Sequence, residues 1–350
     1  MKTSVCGYYG YNNYGDSLML KEIVNFIPDL GASEIEVFSS KDSSESIHYR
    51  SLQGYDGCTD PPDLVLVGGG GIVKSDFWFF RDNLAGSLFS DIKLGLFNVN
   101  LTAESEGVLR THAKYFDFAV VRDYCSWEIA RNALNFYDHH CPVILAPDIS
   151  FLKDKVVKKE GSQEYISICL NSYVLNEYFS GSPSSKAYAN KFLIELTEFI
   201  KWLRSFGHKI QLVPSQIGKE INDVSVSGIL DVMIAGADKV LYSNEDIENH
   251  LINSSLIISM RYHATLFAVK HGIPFIDITH HSKNKNFLID NRLEDLSVDY
   301  WKSSLEDFKI VAEKAKYTDE IKRASHYLSV SSKEAWNKVQ EALTPILNAR

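Results

Sequence analysis

Short apolar runs alternate with helix-length amphipathic segments along the first part of the chain. Apolar runs bounded by turn residues are typical of buried strands, and segments with an apolar period of 3.6 residues are typical of helices. Strands that alternate with helices predict a mainly parallel sheet. The predicted strands of this part are residues 4–7, 35–38, 64–67, 118–121 and 143–145.

A second alternation of the same kind follows a charged, glycine-containing segment at 153–164, which has the composition of an exposed domain connection. Its predicted strands are 165–170, 210–213, 239–241, 256–258 and 275–278, with an amphipathic helix over about 186–206. We therefore predict an N-terminal Rossmann-like domain over residues 1–152, a C-terminal Rossmann-like domain over residues 165–330, and a closing C-terminal helix over residues 331–350.

Composition narrows the function classes. A length of 350 residues with 45% hydrophobic content suffices for two cores, and a formal net charge of −9 argues against general binding to nucleic acid. The five cysteines show no CxxC spacing, which predicts reduced thiols, most of them in the core. No stretch approaches the ~18 apolar residues of a membrane span. We expect a cytoplasmic protein without an integral membrane segment; peripheral association with the inner face of a membrane stays open.

Two glycine-containing segments follow predicted strands, where doubly wound domains bind their ligands. In the segment 7–16, glycines permit a tight turn, Asp16 is expected to cap the next helix, and the tyrosines suit stacking on a sugar. A simple glycine turn with an Asp cap is the alternative. Candidates here are Tyr9, Asn13 and Asp16, joined by Gly69 and Gly70 from the run at 68–71; the aromatic run at 77–80 is assigned to the core.

Basic residues also stand directly after predicted strands. Arg122 could bind an anion or pair locally with Asp123, and neither reading is favoured. Arg261 and His263 open a predicted helix over about 263–271, whose N-terminus favours anions. A hydrogen-bonded core histidine is the alternative for His263.

The loop after the last predicted strand of this region carries His280 and Lys283, and a solvated loop is its alternative explanation. The sequence contains no DxD motif and no HExxH spacing, so neither a metal-bound nucleotide sugar nor a zinc hydrolase is indicated. We predict no essential metal.

Several motifs in order resemble the polysaccharide pyruvyl transferase family from near the first residue to about residue 290: GYYGYNNYGD, LVGGGG, VVRD, LAPDISF, SMRYHATLFAVKHGIPFI and HHSKNKNFL. The resemblance implies a glycosyltransferase GT-B-like α/β fold, with two Rossmann-like domains facing a central cleft. It also implies phosphoenolpyruvate as co-substrate without a separate cofactor. The implied acceptor is a sugar, lipid-linked or not, of a surface polysaccharide or glycolipid precursor, on which a pyruvate ketal forms as phosphate leaves.

By motif, Arg122, Arg261, His263 and Lys283 would contact phosphoenolpyruvate, with His263 as general acid and Arg261 assisting catalysis. The chain departs from the family pattern at His280, where a tyrosine is common, and at 95–100, which lacks the usual glycine-rich segment. These departures concern the acceptor more than the donor. The cleft and acceptor candidates are Tyr9, Asn13, Asp16, Gly69, Gly70 and His280.

Two other functions stay open at this point. A GT-B-type glycosyltransferase or sugar epimerase would have the same architecture and use a nucleotide sugar, because fold does not decide function. A non-catalytic, glycan-binding member of a biosynthetic complex is the second alternative. The joint presence of Arg122, Arg261, His263 and Lys283 argues against that second reading.

Overall fold

The computed structural model describes residues 1–38, 49–50, 61–75, 92–136, 140–158, 161, 163–218 and 222–348. The chain divides into two compact units. Unit 1 comprises Met1–Tyr11, Asp16–Lys153 and Leu328–Arg350, and unit 2 comprises Asn12–Gly15 and Asp154–Tyr327. Four residues of the glycine-containing opening segment therefore group with the second half of the chain.

Unit 1 contains a parallel sheet in the order β3-β2-β1-β4-β5-β6-β7. Its central strands are buried on both faces, as expected for a sheet covered by helices on each side. The strands are β1 (Lys2–Cys6), β2 (Glu34–Phe38), β3 (Tyr49–Arg50), β4 (Leu64–Gly70), β5 (Lys93–Val99), β6 (Phe118–Val121) and β7 (Val143–Leu145). The sequence pattern did not predict β3 or β5.

Among the described residues of unit 1, the α-helices are α1 (Tyr14–Phe26), α2 (Ala103–His112) and α3 (Tyr124–Leu134), which follow strands of this sheet. Short 3-10 helices cover Ile27–Leu30, Ala113–Tyr115 and Ile149–Leu152. The α1 helix begins directly after Asn13, whose side-chain Oδ1 accepts a hydrogen bond from the amide of Gly15 at 3.0 Å. Asn13 is thus the capping residue, and the expectation that Asp16 caps this helix is wrong, because Asp16 already lies inside the first turn.

Unit 2 repeats the architecture with a parallel sheet in the order β10-β9-β8-β11-β12-β13. The strands are β8 (Tyr165–Cys169), β9 (Ile210–Leu212), β10 (Lys239–Val240), β11 (Ser254–Ser259), β12 (Phe275–Thr279) and β13 (Ser297–Asp299). The helices are α4 (Tyr173–Ser180), α5 (Pro183–Ser205), α6 (Asp223–Met233), α7 (Ile247–Leu251), α8 (Tyr262–His271), α9 (Ser282–Asp290) and α10 (Leu305–Ala315), with a 3-10 turn at Glu294–Leu296. The edge strand β13 was not predicted.

The last helix, α11 (Asp319–Asn348), begins well before the predicted start at residue 331. Its portion after Leu328 belongs to unit 1 and completes that core. Trp336 is 1% exposed, and its ring lies 5.0 Å from Phe26 and 5.4 Å from Phe97 between centroids. The indole Nε1 donates to the Pro147 carbonyl at 3.1 Å, so the polar end of this buried side chain is satisfied.

The segment that joins the two predicted domains is anchored on unit 2. The Val156 amide donates to His271 Nε2 at 3.0 Å, and His271 Nδ1 lies 2.9 Å from the Phe267 carbonyl. These two bonds require the neutral tautomer that carries its proton on Nδ1. Burial lowers the pKa of His271 to about 4, which favours the same neutral form.

The described cysteines are all free thiols. Cys6, Cys141 and Cys169 are buried and Cys125 is exposed, while Cys58 lies outside the described residues. Burial raises the pKa of the Cys141 thiol to about 12, so this buried sulfur is held as an unreactive thiol. Within the described ranges, no helix has the length and apolar character needed to cross a membrane.

Trp336→Ala should destabilise unit 1 by about 3–5 kcal/mol, because a large aromatic side chain is removed from a packed core and leaves a cavity. Phe136→Ala, which removes an aromatic side chain that is 53% exposed in the same unit, is the matched control. Thermal unfolding followed by circular dichroism measures both. Equal and small losses for the two variants would show that α11 does not complete the core of unit 1.

Candidate functional site

Unit 2 brings four of the predicted site residues to one edge of its sheet. Arg261 and His263 follow β11 at the start of α8, and His280 and Lys283 follow β12 at the start of α9. The two strands pair in parallel with Ser259 opposite Asp277, so their carboxyl ends lie side by side. This is the edge at which doubly wound domains bind ligands.

A buried carboxylate fixes the guanidinium of Arg261. Arg261 Nε donates to Asp223 Oδ2 at 2.9 Å, and Nη2 donates to Asp223 Oδ1, which makes a two-pronged ion pair. The Asp223 side chain is fully buried, and 14% of the Arg261 side chain is exposed. The paired charges hold the guanidinium in one orientation, and part of the Arg261 side chain stays exposed.

Asp223 also accepts three backbone amide bonds. Ser172 donates at 3.0 Å from the loop after β8, and Ser215 and Gln216 donate at 3.1 and 2.9 Å from the loop after β9. One carboxylate therefore ties together the ends of three strands. In the sequence, Asn222-Asp223 before an apolar run shows only a helix start, so pattern analysis missed this residue.

The segment Asn12–Gly15 is hydrogen-bonded to the loop after β9. The Tyr14 amide donates to the Ser215 carbonyl at 2.9 Å, and the Ile217 amide donates to the Asn12 carbonyl at 3.0 Å. Gln216 Oε1 accepts from Asn13 Nδ2 at 3.3 Å and from Arg261 Nη1 at 3.2 Å. The structure thus brings the predicted Asn13 and Arg261 together through a shared glutamine that was not predicted.

His263 packs directly against the backbone of Gly15. A Cβ atom at Gly15 would lie 1.9 Å from His263 Nδ1, far inside contact distance. Glycine is therefore required where the imidazole lies over the chain, because any other residue would occupy the same space. The Tyr262 ring meets the imidazole edge to face at 5.1 Å and helps to hold it in place.

Lys283 lies near the same tyrosine, with its Nζ 5.7 Å from the centre of the Tyr262 ring. The helices that carry His263 and Lys283 are joined by the buried carboxyl of Asp277, which accepts from Thr265 of α8 at 2.7 Å and from Asn284 of α9 at 2.6 Å. Burial raises the pKa of Asp277, and its hydrogen bonds oppose part of that shift. The two basic residues are therefore held on rigid, connected helices.

His280 is a neutral neighbour of this basic group. The Asn171 side chain uses its oxygen to accept from the Tyr173 amide at 3.0 Å, which turns its Nδ2 toward His280 Nε2 at 3.4 Å. Burial lowers the pKa of His280 to about 3, with a further contribution from the charge of Lys283. His280 can act as a hydrogen-bonding group but not as a cation near neutral pH.

In unit 1, the predicted site residues Tyr9, Gly69 and Gly70 pack against other residues of the protein. Tyr9 is 1% exposed and its hydroxyl donates to the Gly68 carbonyl at 2.8 Å, so its ring is not available for sugar stacking, contrary to our expectation. Gly69 and Gly70 end β4 with positive φ values of 75° and 103°. A Cβ on Gly69 would lie 2.7 Å from the Tyr9 hydroxyl, and one on Gly70 would lie 3.4 Å from Asp16 Oδ1. These glycines make room for neighbouring side chains of the protein.

Arg122 is buried in an ion pair, with Nη1 2.9 Å from Asp148 Oδ2 and both side chains 1% exposed. Asp123, the local partner that the sequence offered, caps α3 by accepting from the Ser126 amide at 2.9 Å. A contact between Arg122 and a ligand would require the pair with Asp148 to open. The role of Arg122 in donor binding stays a prediction.

Two further expectations concern metals and aromatics. Within the part of the chain that the structure describes, no group of three or more His, Cys, Asp or Glu side chains could hold a metal ion. The aromatic run at 77–80, which we assigned to the core, lies outside the described residues.

The sequence model of the polysaccharide pyruvyl transferase family matches residues 13–282, which is most of the chain. The matched range begins at Asn13 and ends at Ser282, directly before Lys283. No curated protein matches the chain by sequence. The resemblance that we drew from the motifs is thereby confirmed.

Solved structures of sugar enzymes share the fold. UDP-GlcNAc 2-epimerase from Neisseria meningitidis bound to UDP-GlcNAc matches with a TM-score of 0.55 at 10% identity over 99% of this chain and 100% of that one. S. aureus MnaA with UDP matches with a TM-score of 0.61 at 12% identity, over 99% of this chain and 97% of that one. Acinetobacter baumannii MurG matches with a TM-score of 0.53 at 10% identity, over 97% of this chain and 100% of that one. The predicted GT-B-like fold class with two parallel α/β domains is confirmed.

Gly15→Ala should displace the His263 imidazole while the protein stays folded, because the clash falls on a side chain that can rotate away. Histidine-selective NMR should show moved ring resonances for His263, with a melting temperature close to that of the wild type. Gly228→Ala is the control, since a Cβ there meets nothing within 4 Å and the residue lies in α6 of the same unit. Unmoved His263 resonances in Gly15→Ala would contradict the packing described here.

Proposed function

We propose that this chain, which belongs to the polysaccharide pyruvyl transferase family, transfers a pyruvyl group from phosphoenolpyruvate to two hydroxyls of a sugar in a polysaccharide or glycolipid precursor. The product is a 1-carboxyethylidene ketal, and inorganic phosphate is released. The observation that carries the proposal is the convergence of Arg261, His263 and Lys283 at one edge of the unit 2 sheet.

The proposed donor is a small ester with a singly charged carboxylate and a doubly charged phosphate on three carbons, and it needs several directed N–H groups. Arg261 uses three of its five N–H groups in the hydrogen bonds to Asp223 and Gln216. We assign the other two N–H groups to a donor oxyanion. Lys283 supplies a second cation, and the N-termini of α8 and α9 add a favourable dipole.

The reaction begins with proton transfer. In the proposed mechanism, protonated His263 delivers its proton to the methylene carbon C3 of the donor, and C2 becomes open to attack by a sugar hydroxyl. The C2–O bond to phosphate then breaks with its electron pair going to the phosphate oxygen. A second hydroxyl of the same sugar closes the ketal at C2.

The protons balance in this scheme. Each of the two sugar hydroxyls loses one proton; one restores His263, and the other leaves with the phosphate as a monohydrogen phosphate ion. Lys283 and Arg261 stabilise the charge that develops on the phosphate oxygen. No oxidation change occurs, so we propose a reaction without a redox cofactor, and we propose no essential metal.

Calorimetric titration of the purified protein with phosphoenolpyruvate, without added metal, tests the donor. We expect saturable binding that weakens at least tenfold, or roughly 1.4 kcal/mol, in Arg261→Lys, because an ammonium cannot replace a two-pronged guanidinium. Lysine still supplies a cation for Asp223, which protects the fold. Arg204→Lys is the matched control, because Arg204 of α5 contacts only the Ile234 and Gly236 carbonyls among its described hydrogen bonds.

Parallel titrations with UDP and GDP sugars separate the alternatives. Saturable binding of a nucleotide sugar without any binding of phosphoenolpyruvate would overturn the proposed donor and favour a glycosyltransferase or epimerase.

His263→Gln should lower turnover by about 10²-fold or more while the affinity for phosphoenolpyruvate changes little, since general acid catalysis contributes to the chemical step. A general acid must be protonated, so wild-type kcat should fall as pH rises through the pKa of the catalytic group, and the variant should lack that limb. His326→Gln, at an exposed site on α11, is the control. Wild-type turnover by a folded His263→Gln variant would exclude the general-acid role.

A further inference from the structure

A second group of side chains lies at the same edge of the unit 2 sheet and takes no part in the proposed donor site. Tyr173 follows β8, Tyr300 and Trp301 follow β13, and Tyr188 lies in α5. The ring centroids of Tyr300 and Trp301 are 4.8 Å apart, those of Tyr188 and Trp301 5.6 Å, and those of Tyr173 and Tyr300 6.1 Å. These spacings are those of mutually packed aromatic rings.

The rings differ in their exposure. Tyr300 is 1% exposed and forms the buried base of the group, whereas Tyr173 and Trp301 are half-buried and Tyr188 is 46% exposed. The Trp301 indole is nearly perpendicular to the ring of Tyr173 on one side, at 86°, and to that of Tyr188 on another, at 89°. The indole is thus held in one orientation and remains partly open to solvent.

Carboxylates accompany these rings. Asp299 is exposed, and its Oδ1 accepts from the backbone amide of Trp301 at 2.8 Å, which fixes the carboxylate at the start of the loop that carries Trp301. Burial and a hydrogen bond with Glu177 raise the pKa of Tyr173 to about 12, so this phenol stays protonated. A rigid aromatic surface with a neighbouring carboxylate suits a sugar, because the C–H face of the ring stacks while hydroxyls donate to the carboxylate.

This aromatic group adjoins the basic cluster. The His280 ring lies 5.5 Å from that of Tyr173, and Asn171 contacts His280 Nε2. His280 and Lys283 both follow β12, so the aromatic group and the basic cluster meet at this end of the strand. A sugar on the aromatic group would therefore bring its hydroxyls toward the side chains assigned to the donor.

We propose that Trp301, Tyr173, Tyr188 and Asp299 form a subsite that binds a pyranose ring of the acceptor saccharide. The role of that sugar as acceptor rests on the proposed function, but the binding of a sugar does not. In this proposal the sugar stacks on aromatic residues of unit 2, whereas the sequence analysis assigned sugar stacking to the tyrosines of segment 7–16, of which Tyr9 is buried.

Fluorine NMR of protein labelled with 5-fluorotryptophan tests the subsite directly. The chain has five tryptophans, and Trp301→Phe and Trp202→Phe assign two of the resonances. Titration with methyl β-galactopyranoside and methyl β-N-acetylglucosaminide should shift the Trp301 resonance saturably for at least one of them. Trp202, a half-buried tryptophan of α5 that packs on Phe199 and Phe206, should not respond.

Asp299→Asn and Tyr188→Ala should each weaken sugar binding, and Trp301→Ala should weaken it about tenfold or abolish it. Trp301→Phe, a milder change, should give a smaller loss and guards against misfolding. In a transfer assay, these variants should raise KM for the acceptor and leave the affinity for phosphoenolpyruvate within about twofold.

The outcomes separate the two proposals. A Trp301 resonance unmoved by both sugars, or equal shifts of Trp301 and Trp202, would overturn the subsite even if phosphoenolpyruvate binds. A Trp301 shift in a protein that does not bind phosphoenolpyruvate would support the subsite and count against the proposed function.

Discussion

The Asp223 carboxylate is the interaction on which the arrangement of unit 2 depends. A carboxylate that is fully buried must be compensated, and this one accepts two bonds from Arg261 and three from backbone amides of the loops after β8 and β9. Those loops and the start of α8 are consequently fixed to one point. The positions of Arg261 and of His263, two residues further along, follow from that single buried charge.

The segment Asn12–Gly15 is connected to the ion pair of Arg261 and Asp223 through Gln216, which accepts from both Asn13 and Arg261. Asn13 also caps α1 by accepting from the Gly15 amide. The absence of a side chain at Gly15 then allows the His263 imidazole to lie against the backbone. The spacing of asparagine and glycine in this segment thus has a structural cause beyond the tight turn that glycine usually provides.

Local features of the chain were predictable from sequence, and long-range partners were not. The apolar runs identified the central strands, but β5 was missed because Gly95 interrupts its pattern; the ring of Phe118 lies 2.2 Å from where a Cβ of Gly95 would stand. The pairing of Arg122 with Asp148, and of Arg261 with Asp223, joins residues far apart in sequence. The sequence pattern predicted that Arg261 and His263 lie at the start of a helix. It did not predict which carboxylate pairs with the Arg261 guanidinium.

The ion pair with Asp223 changes how the basic cluster can attract an anion. Because the charge of Arg261 is largely compensated by the buried carboxylate, its contribution is directional: two oriented N–H groups rather than a free positive charge. Near neutral pH, His280 adds no charge. In the proposed function, the attraction for the negatively charged donor then depends on Lys283 and on the dipoles of α8 and α9. In the proposed mechanism, Arg261 would thus orient the donor, Lys283 would attract it, and His263 would act in the chemical step.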